Sequence, residues 1–151
     1  TIVEVYQGKF PEDEKTLLTL PGVGPYTAAA IASIAFNAQA TVLDGNVERV
    51  VSRVFDIKDP LPKSKPIMMG FAEKLSHKNA LPSAYSQAMM ELGAMVCKPK
   101  KPQCDICPVS QHCALFAQDI AVKELYPFKT PKKEKPKRKS YKDRMELFSS
   151  E

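Results

Sequence analysis

Four cysteines fall within seventeen residues, in CKPKKPQCDICPVSQHC (97–113), and the chain has no others. Cys97, Cys104, Cys107 and Cys113 are separated by six, two and five residues. Four thiolates so close together imply a shared metal centre. Two disulfide-closed loops are the alternative use of such a set. A four-cysteine zinc site is a rival on chemistry alone, although zinc ribbons usually carry two Cys-x-x-Cys knuckles and this stretch has one. Lys98, Lys100 and Lys101 sit in the longest of the loops, where they either keep the surface soluble or meet phosphates. His112 is next to Cys113 and is read as a surface residue, since four thiolates already suffice.

Two further stretches carry chemistry. In TVLDGNVERVVSRVF, Asp44 stands just before a helical pattern and suits an N-cap. In LPGVGPYTAAAIA (20–32), two prolines and two glycines crowd a short turn, and a run of small apolar residues follows. Such a turn is either an ordinary helical hairpin with a glycine cap or a phosphate site. Glycines let another group approach the backbone, and a helix start presents free N–H groups. Gly22, Val23, Gly24 and Thr27 are the candidate contacts.

The elements that must hold these residues are helical. Val47, Val50, Val51, Val54 and Phe55 form one apolar stripe, with Glu48, Arg49, Ser52 and Arg53 expected outside it. Tyr85, Ala88, Met89, Leu92, Met95 and Val96 form a second stripe, and Met68, Phe71, Ala72 and Leu75 a third. Residues 28–36 are small and apolar, so that helix is expected to be buried and closely packed. Only TVLD alternates, and the fold class is all-α. Breaks fall at Gly8, at LPGVG, around 37–41, at DPLPKSKP (59–66) and at ALPS (80–83). The opening TIVEVYQG reads as the end of a helix with no start signal, so a truncated N-terminus is expected.

No apolar run approaches the roughly 20 residues of a membrane-spanning helix. The net charge of +5 is local. Residues 1–128 hold 13 Lys+Arg and 13 Asp+Glu, whereas 129–151 hold 9 and 4. The excess is a Lys/Pro/Arg-rich tail, expected to be a disordered tether with a weak, salt-sensitive attraction to phosphates.

Specific motifs go further than spacing. LPGVGxxTA resembles the hairpin of the helix-hairpin-helix DNA-binding module, whose backbone amides grip a DNA phosphate. The six-two-five cysteine loops resemble the [4Fe–4S] loop of endonuclease III-like DNA glycosylases. DGNVERV and QAMMELGAMVC (87–97) closely resemble the A/G-specific adenine DNA glycosylases (MutY type). The resemblance covers about residues 1–139.

It implies a [4Fe–4S] cluster on the four cysteines, with zinc as the alternative, and phosphate contacts from Lys98, Lys100 and Lys101. A DNA-facing protein normally lives in a reducing compartment, which disfavours the disulfides. The resemblance makes Asp44 the essential carboxylate, with Asn46 orienting it and Tyr26 near the sugar. Family members that also act as lyases carry a lysine nucleophile where Tyr26 stands, and tyrosine cannot form an imine. The implied reaction is hydrolytic removal of adenine opposite 8-oxoguanine or guanine in double-stranded DNA.

By the same resemblance, residues 1–38 close a six-helix barrel and hold the hairpin. Residues 39–128 form the cluster subdomain, and 129–151 form the tail. The family's second carboxylate, a Glu that protonates the departing base, lies upstream of the hairpin in a part this chain lacks. A C-terminal domain that reads oxidised guanine is also expected to be missing. The chain is therefore expected to be a poorly active fragment. It is expected to be monomeric and cytoplasmic, or nuclear or mitochondrial in a eukaryote. A non-catalytic iron–sulfur DNA-binding module and an endonuclease III-like lyase remain as alternatives.

Overall fold

The computed structural model describes residues 1–77 and 80–131. The chain is helical, as the periodicity predicts. Its helices are α1 (Ile2–Tyr6), α2 (Glu14–Leu17), α3 (Pro25–Ala30), α4 (Gly45–Val54), α5 (Lys65–Ser76), α6 (Pro82–Glu91) and α7 (Ile120–Glu124). A wider π-type turn continues α3 over Ile31–Ala35, and another continues α6 over Leu92–Val96. Short 3-10 turns cover Cys104–Ile106 and Ser110–His112. Among the described residues the only strand-like pairing is an isolated bridge between Leu61 and Lys129.

Local chemistry sets the helix boundaries. α1 ends where Gln7 and Gly8 both turn to positive φ, which glycine adopts without steric cost. Asp13 caps α2, accepting from the Thr16 amide and hydroxyl at 2.8 Å each. Pro25, Pro66 and Pro82 lie in the first turns of α3, α5 and α6, where a missing N–H costs nothing. TVLD forms no strand: residues 37–44 run as coil into the cap at Asp44.

Two apolar clusters result. One gathers Leu17 and Leu20 with Ala28 and Ala32, around the hairpin. The other gathers Leu43, Val47 and Val51 of the α4 region with Ile57, Met68 and Ala72, and the Phe55 and Phe71 rings stack beside it at 4.2 Å. The small residues of 28–36 do pack closely. Ala28, Ala29, Ala32 and Ser33 are buried, and Ser33 shares a 2.7 Å hydrogen bond with buried Ser86 of α6.

Two expectations about the helix faces are corrected. The polar residues of α4 do not face solvent: Glu48, Arg49, Ser52 and Arg53 are all buried along with Val47, Val50 and Val51. α5 and α6 cover one side of α4, and the turn after α6 together with the cysteine loop covers the other. In α6 the buried positions are Pro82, Ser86 and, in its π-type extension, Gly93, whereas Ala88 and Met95 are exposed. Small and polar residues set that contact because they permit close approach.

After α7 the chain returns to the core. Leu61 donates to Phe128 O at 2.8 Å, and Thr130 donates to Leu61 O at 3.2 Å. Lys129 and Thr130, which the sequence reading assigns to the tail, are thereby held against residue 61. The rest of the expected basic tail, 132–151, lies outside the described residues.

Candidate functional site

Asp44 is the N-cap of α4. Its Oδ1 accepts from the Val47 amide at 2.8 Å, and its Oδ2 accepts from Asn46 Nδ2 at 3.2 Å. The cap satisfies an otherwise orphaned amide and fixes the carboxylate torsion at once. The cap thus occupies one carboxylate oxygen, and the other takes the Asn46 amide. The carboxylate lines a groove with Asn46, Arg49, Glu48, Glu124 and Tyr126. The groove's other carboxylates are engaged. Glu48 pairs with Lys65 at 3.1 Å, and Glu124 accepts the Lys101 amide at 2.8 Å.

Behind Asn46 stands a residue that helical periodicity alone places on the solvent face. Arg49 donates to Asn46 Oδ1 at 2.8 Å, to Gly93 O at 2.6 Å and to Cys97 O at 2.8 Å. Burial, with Arg53 adding to it, lowers the Arg49 pKa, and Cys97 and Asp44 partly offset this. A guanidinium stays charged under such a shift and supplies several donors in a fixed plane. Gly93 was also missed. An added Cβ there would meet Asn46 Cβ at 2.6 Å, so only glycine lets the turn after α6 approach the start of α4.

Cys97, Cys104, Cys107 and Cys113 line one cavity, with Arg53, Lys123 and apolar side chains around them. Burial raises the Cys113 thiol above its ordinary range, and the other three cysteines add to the rise. The four thiolates lining one cavity provide one ligand for each iron of a four-iron cluster. Lys98 is half-buried in this loop, whereas Lys100 and Lys101 are exposed.

The hairpin lies apart from the cysteines. Gly22 has a φ of 78°, a conformation that favours glycine, and Gly24 is the extended N-cap of α3. Val23 uses its amide on Leu20 O at 3.1 Å, so of the expected amide contacts it is the one already engaged. The amides of Gly22 and Gly24 donate to nothing among the described residues, and Gly22, Gly24 and Thr27 are exposed. Tyr26 is also exposed, in the first turn of α3, and takes no part in the hydrogen-bond network of Asp44.

Comparison with known proteins matches residues 6–34 to the helix-hairpin-helix motif and residues 97–113 to the iron–sulfur binding domain of endonuclease III. The adenine DNA glycosylase of Mycolicibacterium smegmatis is 44% identical over 112 residues, covering 74% of this chain and 38% of that protein. The human adenine DNA glycosylase is 47% identical over 116 residues, covering 74% of this chain and 21% of that protein. This chain belongs to the adenine DNA glycosylase family, within the helix-hairpin-helix superfamily.

A solved thermostable thymine-DNA glycosylase is similar in fold, with a TM-score of 0.65 and 31% identity over 76% of this chain and 53% of that one. An endonuclease III bound non-covalently to DNA is also similar, with a TM-score of 0.57 and 30% identity over 75% of this chain and 51% of that one. The chain thus spans between about a fifth and two fifths of the named adenine DNA glycosylases. As in this family, the cofactor is a [4Fe–4S] cluster, and the cysteine cavity fits it. Arg49 and Gly93 carry no signal in a single sequence, because the Gly93 and Cys97 carbonyls that Arg49 reaches, and the Asn46 that Gly93 meets, lie 44 and more residues away.

Proposed function

We propose that this chain is the hairpin-and-cluster portion of a base-excision repair enzyme. That enzyme hydrolyses the N-glycosidic bond of adenine opposite 8-oxoguanine or guanine. The observation that carries the proposal is the fixed carboxylate: Asp44, capped into α4 and braced by Asn46 and Arg49. Breaking the bond between the sugar and adenine builds positive charge on the sugar, and a preorganised carboxylate stabilises that charge. Water then adds its hydroxide to the sugar carbon, and its proton balances the one taken by the departing base. The adenine reaches the groove only after leaving the base stack. Tyr26, where a lysine nucleophile would stand in a lyase, supports hydrolysis by water rather than imine chemistry.

The exposed amides at Gly22 and Gly24, with Thr27, would hold a phosphate of the duplex without reading sequence. Lys98, Lys100 and Lys101 would add charge along the cysteine loop. Cys97, Cys104, Cys107 and Cys113 would ligate the cluster, which supplies a rigid cross-link for this loop and redox chemistry of its own. Glu48 and Glu124 are committed to other partners, so the acid that protonates adenine is proposed to come from a residue outside this chain. By the same proposal the enzyme acts on DNA in the cytoplasm of a bacterium, or in the nucleus or mitochondrion of a eukaryote, as a monomer.

The test is single-turnover adenine release from a duplex with adenine opposite 8-oxoguanine. This chain alone is expected to be nearly inactive, and joining it to an acid-bearing partner segment is expected to restore release. Full activity of the isolated chain would show that one of its own carboxylates is the acid. No activity after joining, with DNA binding intact, would favour a non-catalytic binding module.

A further inference from the structure

Arg53 and Lys123 are two buried cations with no carboxylate partner among the described residues. Arg53 is 2% exposed, and Lys123 is 6% exposed. Among the described residues the ion pairs are Glu4 with the N-terminus, Asp56–Lys58, Asp59–Lys63 and Glu48–Lys65. Buried charges are ordinarily paired, because desolvating a lone ion is expensive. Both cations line the cavity of the four cysteines. Lys123 Nζ donates to Phe116 O at 2.8 Å.

The guanidinium of Arg53 is almost wholly spent on the cysteine loop. It donates to Lys98 O at 2.7 Å, Pro99 O at 3.1 Å and Cys97 O at 3.3 Å, and to Cys97 Sγ at 3.4 Å. Its Nε donates to Lys123 O at 2.8 Å. One planar group on the core helix α4 therefore fixes the start of the loop and the C-terminal helix α7, and also touches a ligating sulfur.

We infer that Arg53 is a positioning residue for the iron–sulfur centre. It supplies the positive charge that balances the thiolates, and its contact with Cys97 Sγ raises the cluster's reduction potential. The inference rests on the cluster assignment made above. A donor and a positive charge at a ligating sulfur stabilise the more electron-rich, reduced state of a cluster. The carbonyl contacts do something separate: they hold the loop in its ligating shape. Partners behind a metal ligand commonly matter by about tenfold or more in metal retention.

The experiment uses the full chain purified anaerobically, with iron and sulfide counted and the potential read by direct electrochemistry. Arg53→Met and the neutral donor variant Arg53→Gln are both expected to show a lower cluster potential than the parent. Loss of iron to a chelator should be faster by about tenfold. Arg53→Lys returns the charge but cannot span the carbonyls, so it should recover the potential more fully than the chelator resistance. A folded, cluster-loaded Met or Gln variant with the parent's potential would overturn the inference, and so would a Lys variant that recovers retention but not potential. Arg53→Gln serves where Arg53→Met fails to fold. A parent protein that binds zinc instead of iron would overturn the cluster assignment itself, and is read before any variant is made.

Discussion

Gly93 and Asn46 touch so closely that a methyl group at position 93 would sit 2.6 Å from the Asn46 Cβ. That contact sets the distance between the turn after α6 and the start of α4, and so sets where Asn46 holds Asp44. The Gly93 carbonyl also accepts from Arg49 at 2.6 Å. Backbone lines most of the contact, so relief requires movement of a helix start rather than of a side-chain tip.

Gly93→Ala should therefore cost about 1–3 kcal/mol of stability, the range of an overpacked core site. It should also disturb Asn46. Urea unfolding measures the first effect, and adenine release by the protein joined to its acid-bearing segment measures the second. A variant with parental stability and rate would mean that α4 and the turn separate without cost.

Asp44→Asn tests charge apart from shape. Asparagine caps helices well, so folding and DNA binding should persist. Adenine release in the joined protein should fall by about a hundredfold or more, the usual loss when a preorganised electrostatic group is removed. Single-turnover rates, with binding measured in parallel, decide the case.

The cysteine cavity predicts a brown protein when purified without air, with broad absorbance near about 400 nm from thiolate-ligated iron. Cys104→Ser should lose the metal and loosen residues 97–113, because metal binding and loop folding are coupled. A colourless parent holding one zinc per chain would refute the cluster.

Tyr126 donates to Asp56 and tethers the returning C-terminal segment near residue 61. Burial, then the bond to Asp56, raises its pKa from 10.0 to about 12. A raised folded-state pKa gives stability that is fully present below the unfolded value and is lost as pH rises towards the folded one. Stability should therefore decline from pH 10.0 to about 12 and flatten above. Tyr126→Phe should remove that slope while lowering stability at neutral pH. Denaturant midpoints across this range provide the measurement, and an unchanged slope in the variant would assign the alkaline loss to other groups.

Features that act over a few residues are legible in the sequence. Asp44 could be read as a cap because a cap reaches only to the amide three positions on. The helices could be read from their periods, Gly22 from its place in a turn, and the metal centre from cysteines within a single short loop. What surrounds α4 depends on how distant segments fold against it. Its apolar stripe is visible in the sequence, but periodicity reports one side of a helix and says nothing of what covers the other. Arg49 and Arg53 read as solvent-facing for that reason, yet both are buried against backbone carbonyls of residues 93–99. A carbonyl is present at every position and leaves no mark in the sequence, so a buried arginine satisfied by carbonyls looks the same as an exposed one until the chain is folded.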